Sequence, residues 1–286
     1  MDVGIGLPST IPGTGRDQLL EWARRAEARG FSTLGTIDRI VYPSHDPLIA
    51  LAAAAGVTER IRLATTILLA PTRANGAVLA KQAATLDVLS GGRLVLGVAV
   101  GRREDDFEAT GVDFHARAQI FDDLLDLMAR IWDGEEFGEA GGIGPPTPDG
   151  RPELILGGLV GAAFRRAARH GAGWTGGNCT PEELTHLTAR LRAAWEEAGR
   201  EGTPRTLAQP YYALGDGAEQ AVDRCLRDYY GPGDYTDMIV ARAATDAETV
   251  RENVRAFAAA GCDELIFFPC DPDPDQVDLL ADALGD

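Results

Sequence analysis

Basic residues are scarce in this chain: 27 Lys and Arg face 44 Asp and Glu, a net charge of −17. Nucleic acid and anionic membrane surfaces both need a basic face, so neither is expected as a partner. Long apolar runs are missing too, and none approaches the roughly 18 residues of a membrane span. No basic region precedes the apolar strand that follows Met1-Asp2, so no targeting peptide is read and a cytoplasmic location is expected. Cys179, Cys225, Cys262 and Cys270 show no C-x-x-C spacing, which fits free thiols. Neither the histidines nor the carboxylates have metal-ligand spacing, so no metal site is expected. Asp271-Pro272-Asp273-Pro274-Asp275 lacks the glycine and glutamate of a calcium loop and reads as an acidic helix start. Walker loops, G-x-S-x-G and zinc motifs are absent.

What is present is an alternation of strand and helix signals. Residues 60–101 hold two β-branched apolar runs around one helical run, with turn chemistry at each joint. That is a βαβ unit with both strands buried, the building block of a parallel sheet. Strands are read at residues 3–7, 31–37, 61–69, 94–100, 153–156, 173–175, 206–214 and 264–268. Helices lie between them. Thr14 is read as the cap of the first, with Asp17 completing a weak capping box. Asp46-Pro47 and Thr180-Pro181-Glu182-Glu183 are read as helix starts with proline at the first turn. Phe121, Leu124, Leu125, Met128 and Ile131 form the inward stripe of a helix over 116–132. Residues 134–152, rich in Gly and Pro, read as a connection within one domain spanning 1–286.

Eight strand signals, each with a helix, predict an α/β fold: a (β/α)8 TIM barrel. A doubly wound sheet is the rival, but it usually carries a phosphate loop after strand one. Here Gly4-x-Gly6 lies inside that strand, and no G-x-G-x-x-G follows.

A barrel places its active site at the C-terminal ends of its strands. That rule selects Pro8-Ser9, Asp38-Arg39, Thr65-Thr66, Gly101-Arg102, Gly157-Gly158 and Thr175-Gly176-Gly177. Gly157-Gly158-Leu159-Val160-Gly161 runs straight into a helix. Its glycines let backbone N–H groups approach a phosphate that the helix N-terminus favours, though a tight turn alone would read the same way. Asp38 and Arg39 close strand two, as a site or as a surface pair. Of the histidines, only His45 falls in a loop over the same face.

With these residues in view, the chain resembles the bacterial luciferase-like monooxygenase superfamily. The likeness runs through Asp46-Pro47-Leu48, Thr58-Glu59-Arg60-Ile61-Arg62-Leu63, Ala80-Lys81-Gln82-Ala83-Ala84-Thr85-Leu86-Asp87 and Ser90-Gly91-Gly92-Arg93-Leu94. It implies a (β/α)8 barrel of the luciferase-like type that binds FMN or the deazaflavin coenzyme F-420. The ring would lie over the strand ends, near Leu7, Thr65, Thr66, Ile67, Gly101 and Arg102. The phosphate would lie near strands five and six, at Gly157, Gly158, Gly161, Thr175 and Gly176. A non-proline cis peptide is implied at Thr66–Ile67.

Two stretches depart from the family pattern. Strand two ends in Asp38-Arg39, where the family often has Asp-His, and Arg39 cannot act as an acid or base near neutral pH. Residues 72–75 replace the commoner Arg-His-Pro wording. The leading expectation is a flavin-dependent monooxygenase using reduced FMN and oxygen on a small organic substrate, with Asp38, Arg39 and His45 as catalytic candidates. A separate flavin reductase and a homodimer are its expected partners. Hydride transfer with F-420, its acidic tail held by Arg102, Arg103 and Arg165, is the second reading. A non-catalytic flavin-binding or partner subunit is the third.

Overall fold

The computed structural model describes residues 1–73 and 75–285; Ala74, within the departing stretch 72–75, lies outside them. The chain runs through β1 (Asp2–Gly6), α1 (Arg16–Ala28), β2 (Thr33–Thr36), α2 (Pro47–Ala55), β3 (Arg62–Leu69), α3 (Gly76–Ser90) and β4 (Leu94–Ala99). Next come α4 (Glu104–Thr110), α5 (Arg117–Trp132), β5 (Glu153–Gly157), α6 (Gly161–His170), β6 (Gly173–Thr175) and α7 (Pro181–Glu197). The remainder is β7 (Arg205–Ala208), β8 (Tyr211–Tyr212), α8 (Ala218–Tyr230), α9 (Asp234–Arg242), α10 (Ala247–Ala259), β9 (Glu264–Pro269) and α11 (Asp275–Gly285).

Strands β1 to β7 follow one another in parallel, β7 pairs with β9, and β9 pairs with β1. The sheet thereby closes into an eight-stranded parallel barrel, as the strand count predicts. β8 is a short strip alongside the end of β9.

Alternation along the strands builds two apolar layers. Leu63, Leu96, Leu154, Leu156, Leu265 and Phe267 pack outward under the helices. Ala64, Val95, Ile155, Leu207, Ile266 and Phe268 form the interior layer. The N-terminal end of the barrel is plugged by Glu264, which is 1% exposed. It accepts hydrogen bonds from Ser32, Thr33, Arg62 and Arg205. Two depressions of about 190 and 340 Å³ lie at this end, lined by residues such as Arg62, Arg93, Arg205 and Asp263. They face away from the strand ends where barrel chemistry is placed.

The helix starts at Asp46 and Thr180 form as predicted. Asp46 accepts from the N–H of Ile49, and Thr180 and Glu183 close a reciprocal box. The stripe of α5 is buried at Phe121, Leu124, Leu125, Met128 and Ile131. Two readings are corrected, and two further helices are present. Thr14 does not cap α1: its hydroxyl donates to the carbonyls of Pro8 and Ile11, and Gln18 bonds the Gly15 N–H instead. The strand read over 206–214 is broken after Ala208, where Gln209-Pro210 interrupts the ladder because proline has no N–H to give. Helices α4 and α9 were not predicted; the first opens on a run of three carboxylates, and the second follows Gly231-Pro232-Gly233.

Candidate active site

The C-terminal mouth of the barrel has an apolar floor. A Cβ on Gly6 would sit 2.4 Å from the Phe268 ring, and one on Gly35 would sit 2.9 Å from it. Phe268 therefore lies across β1 and β2, and only glycine there makes room for it. On the other side, Ile67 and Ala99 lie against Gly157 at 3.1 and 3.2 Å from an added Cβ. The Thr66–Ile67 peptide is cis, where the resemblance placed it. Beside it, the Thr65 hydroxyl donates to the Gly97 carbonyl at 2.7 Å. Leu7 is different: its side chain packs with Ile5 in the helix-side core. Gly101, in a left-handed conformation, abuts Leu69 and Phe107.

The loop between β5 and α6 is open to an anion. The N–H groups of Gly158, Leu159, Val160, Gly161 and Ala162 meet no acceptor among the described residues. They cluster at the positive end of α6. Gly158 has φ +129°, and a Cβ there would lie 2.8 Å from that of Ala163. Trp174 on β6 donates its indole N–H to the Gly158 carbonyl at 2.7 Å, which pins the loop. Thr175 accepts from Gln209 at 2.8 Å and so braces β6 against β7, while Gly176 leaves space for Cys179. Two guanidinium groups flank Gly161: an added Cβ would be 3.4 Å from Arg165 and 4.0 Å from Arg190. Arg190 also stacks on Phe164 at 5.0 Å. Among the described residues neither arginine has a carboxylate partner within 4 Å. Arg190 was not foreseen, because it comes from α7 and only the packing of α7 on α6 brings it there.

Asp38 and Arg39 point to different tasks. The Asp38 carboxylate is buried and accepts from the Leu69 N–H at 2.9 Å and from Arg73 at 2.7 Å. Burial pushes its pKa up, and Arg73 partly offsets that. Asp38 thus fixes the turn that leaves β3. Arg39 lies between the rings of Tyr42 and Tyr229, at 4.8 and 5.4 Å, and donates to the Tyr229 carbonyl. Arg103 reaches the same carbonyl at 3.3 Å, and Arg102 stacks on Tyr235 at 4.6 Å. Arg102 thus holds the start of α9, while Arg39 and Arg103 hold the end of α8, which has crossed from β8. Their charge suits the negative end of that helix. Asp106, fully buried, completes the arrangement by accepting from the N–H groups of Ile40 and Val41. His45 is exposed and its Nε2 bonds the Thr14 carbonyl at 2.9 Å, which makes that nitrogen the donor. It joins two loops and is not brought next to Asp38 or Arg39 by any hydrogen bond.

Above Phe268 stand two phenols absent from the sequence-derived candidates. The hydroxyls of Tyr211 on β8 and Tyr230 on α8 are 2.7 Å apart. Tyr211 packs edge-on against Phe268 with ring centroids 6.4 Å apart. Burial raises the Tyr230 pKa to about 12. Both phenols are therefore neutral donors near pH 7. Among the described residues no group of three or more His, Cys, Asp or Glu could hold a metal ion. No helix of the described residues is long and apolar enough to cross a membrane.

Comparison with known proteins adds a lineage to this geometry. The sequence matches the luciferase-like monooxygenase family over residues 1–264. It is 32% identical over 207 residues to an uncharacterized protein of Mycobacterium tuberculosis, covering 62% of this chain and 71% of that one. It is 27% identical over 219 residues to the F-420-dependent glucose-6-phosphate dehydrogenase of Kribbella flavida, covering 70% of this chain and 65% of the enzyme. Its fold is similar to that of a monooxygenase from Streptomyces bottropensis, with a TM-score of 0.85, 25% identity, and 99% and 98% of the two chains covered.

Proposed function

This chain belongs to the luciferase-like monooxygenase family, and from that premise we propose that it is an oxidoreductase binding a flavin or deazaflavin over the floor of Ile67 and Phe268. The observation that carries the reading is the β5–α6 loop. Its unpaired N–H groups, at a helix N-terminus and held open by Gly158, fit a cofactor phosphate. When bound, such a group supplies hydride or oxygen chemistry that the side chains alone cannot. The protein's part is to hold the phosphate, seat the ring on an apolar floor and exclude water under the α8 end.

The two cofactors make different demands on the loop. FMN ends in one phosphate, which the backbone donors satisfy. F-420 continues into an acidic tail, and that tail would meet Arg165 and Arg190, which lack carboxylate partners. This favours F-420 and hydride transfer, against the leaning to FMN that the sequence alone encourages. The Kribbella flavida relative supports the same choice. The oxygen chemistry of the FMN reading keeps the support of the Streptomyces bottropensis monooxygenase. In that reading a separate reductase supplies reduced FMN. A homodimer in the cytoplasm belongs to either reading.

Titration of the purified protein with FMN and with F-420, oxidised and reduced, tests the proposal by absorbance and fluorescence. Saturable binding of F-420 tighter than FMN is the expected result. Tighter FMN binding reverses the order of the two readings. Failure of the folded protein to bind either cofactor in any state overturns both.

A further inference from the structure

Two phenols elsewhere in the molecule have spent their protons. Tyr212 donates to the Gln276 carbonyl at 3.2 Å, and Tyr42 donates to Asp228. Tyr211 and Tyr230 have not. Two phenols hold two hydrogens, and their mutual bond uses one whichever is the donor. No other acceptor meets either oxygen among the described residues. Tyr211 is 8% exposed, so water is largely denied to it, while Tyr230 is half-buried. A donor left unused in such a setting costs stability and is retained where something accepts it.

The location gives that something its chemistry. Tyr211 lies over the interior residue Phe268, and Tyr230 reaches it from the α8 end that Arg39 and Arg103 hold across the mouth. The surroundings of Tyr211 are apolar and aromatic, including Ile37 and Phe268, whereas the Tyr230 ring meets Tyr229 on one side and the Arg103 guanidinium at 5.6 Å. An uncharged acceptor oxygen on an otherwise apolar molecule suits the Tyr211 side of the pair. Strand two, moreover, offers Arg39 and no histidine, and Arg39 is committed to Tyr229.

We propose that the Tyr211–Tyr230 hydroxyl pair is the substrate-binding donor of this site, its unused O–H donating to the carbonyl or hydroxyl oxygen of a small neutral substrate above the cofactor ring. The proposal rests on the oxidoreductase reading. The second phenol orients the first and is a positioning residue. Either tyrosine can hold the unused hydrogen, and the two single variants decide which.

Cyclohexanone serves as the probe, its C=O stretch read by infrared difference spectroscopy with the protein loaded with whichever oxidised cofactor binds. Wild type, Tyr211→Phe, Tyr230→Phe and the double variant are compared, each checked for an unchanged cofactor affinity and thermal transition. The expected result is a saturable, down-shifted carbonyl band in wild type. It returns toward the unbound frequency in one single variant and in the double variant, with binding weakened about three- to tenfold. A band that is unshifted, unsaturable or identical in wild type and the double variant overturns the proposal while leaving the cofactor reading intact. Absence of cofactor binding is seen first, in the titration, and removes both. If the double variant does not fold, the single variants and proton NMR exchange of the two hydroxyls, with and without cyclohexanone, give the same decision: slowed exchange of one hydroxyl supports the proposal, and no change overturns it.

Discussion

The indole N–H of Trp174 donates to the carbonyl oxygen of Gly158 at 2.7 Å. A fully buried residue of the barrel wall thus sets the position of the loop whose N–H groups meet no acceptor among the described residues. Trp174→Phe keeps an aromatic ring against Phe164 but removes the donor. We expect a stability loss of about 1–3 kcal/mol, from the unpaired carbonyl and the smaller ring. Urea unfolding checks it. Affinity for the preferred cofactor should fall about three- to tenfold in the same variant, read by fluorescence titration.

Gly161→Asp separates charge from strain at that loop. A side chain at Gly158 would be forced into φ +129° and against Ala163, so any loss there mixes folding with binding. Gly161 has no such conformation, and an aspartate at the start of α6 suits the helix dipole. The expected outcome is an unchanged or higher melting temperature together with cofactor affinity weakened about tenfold or more. Unchanged affinity would show that no phosphate sits there.

Arg39→Ala should loosen the end of α8. The guanidinium leaves both the Tyr229 carbonyl and the two rings that enclose it. Lysine is no substitute, since it lacks the planar face and the fork of donors. Amide exchange should accelerate over residues 229–235 while α2 and α3 keep their protection. Exchange unchanged in that segment would mean Arg103 alone suffices to hold it.

How much of this was readable from the residues depends on whether the signal was local. The strands and most helices were, because buried alternation, caps and inward stripes are written in adjacent positions. The cis peptide at Thr66–Ile67 came only through the family likeness. The interruption at Pro210 was written in the sequence, and the apolar residues on either side obscured it. The site was legible in part. The Gly157–Gly161 loop has a local signature, and so do the strand-end positions. Arg190, Tyr211, Tyr230 and Asp106 do not, since each reaches its place through the packing of one element on another distant in sequence. Arg39 was singled out as the residue replacing a histidine, but its partner Tyr229 lies 190 positions away and could not be inferred.

His170 gives the fold a mild acid sensitivity. Its side chain is 9% exposed, with Nε2 3.5 Å from an Asp126 oxygen. Burial lowers its pKa from the usual 6.5, with Arg169 adding to that and Asp126 opposing it. The folded state thus binds a proton less readily than the unfolded one. Stability from this group is complete above pH 6.5 and is lost as the pH falls through the lowered pKa. Urea midpoints of wild type should decline from pH 7 toward pH 5 more steeply than those of His170→Gln. Parallel slopes would assign the decline to the carboxylates instead.

Arg165 and Arg190 should distinguish the two cofactors. Arg165 and Arg190 come from adjacent helices, flank Gly161 and have no carboxylate within 4 Å among the described residues. In a chain of net charge −17, a pair of unneutralised cations beside a helix N-terminus is a local reversal of sign. An acidic tail reaching past the phosphate would feel both, whereas a terminal phosphate would be met first by the backbone. Arg165→Ser with Arg190→Ser should therefore weaken F-420 binding about tenfold at low salt and FMN binding about twofold. Both exposed charges are screened by salt, so the F-420 difference should shrink as ionic strength rises from 0.01 to about 0.5 M. Equal losses for both cofactors, or losses independent of salt, would mean the arginines serve the packing of α6 on α7 and do not read the tail.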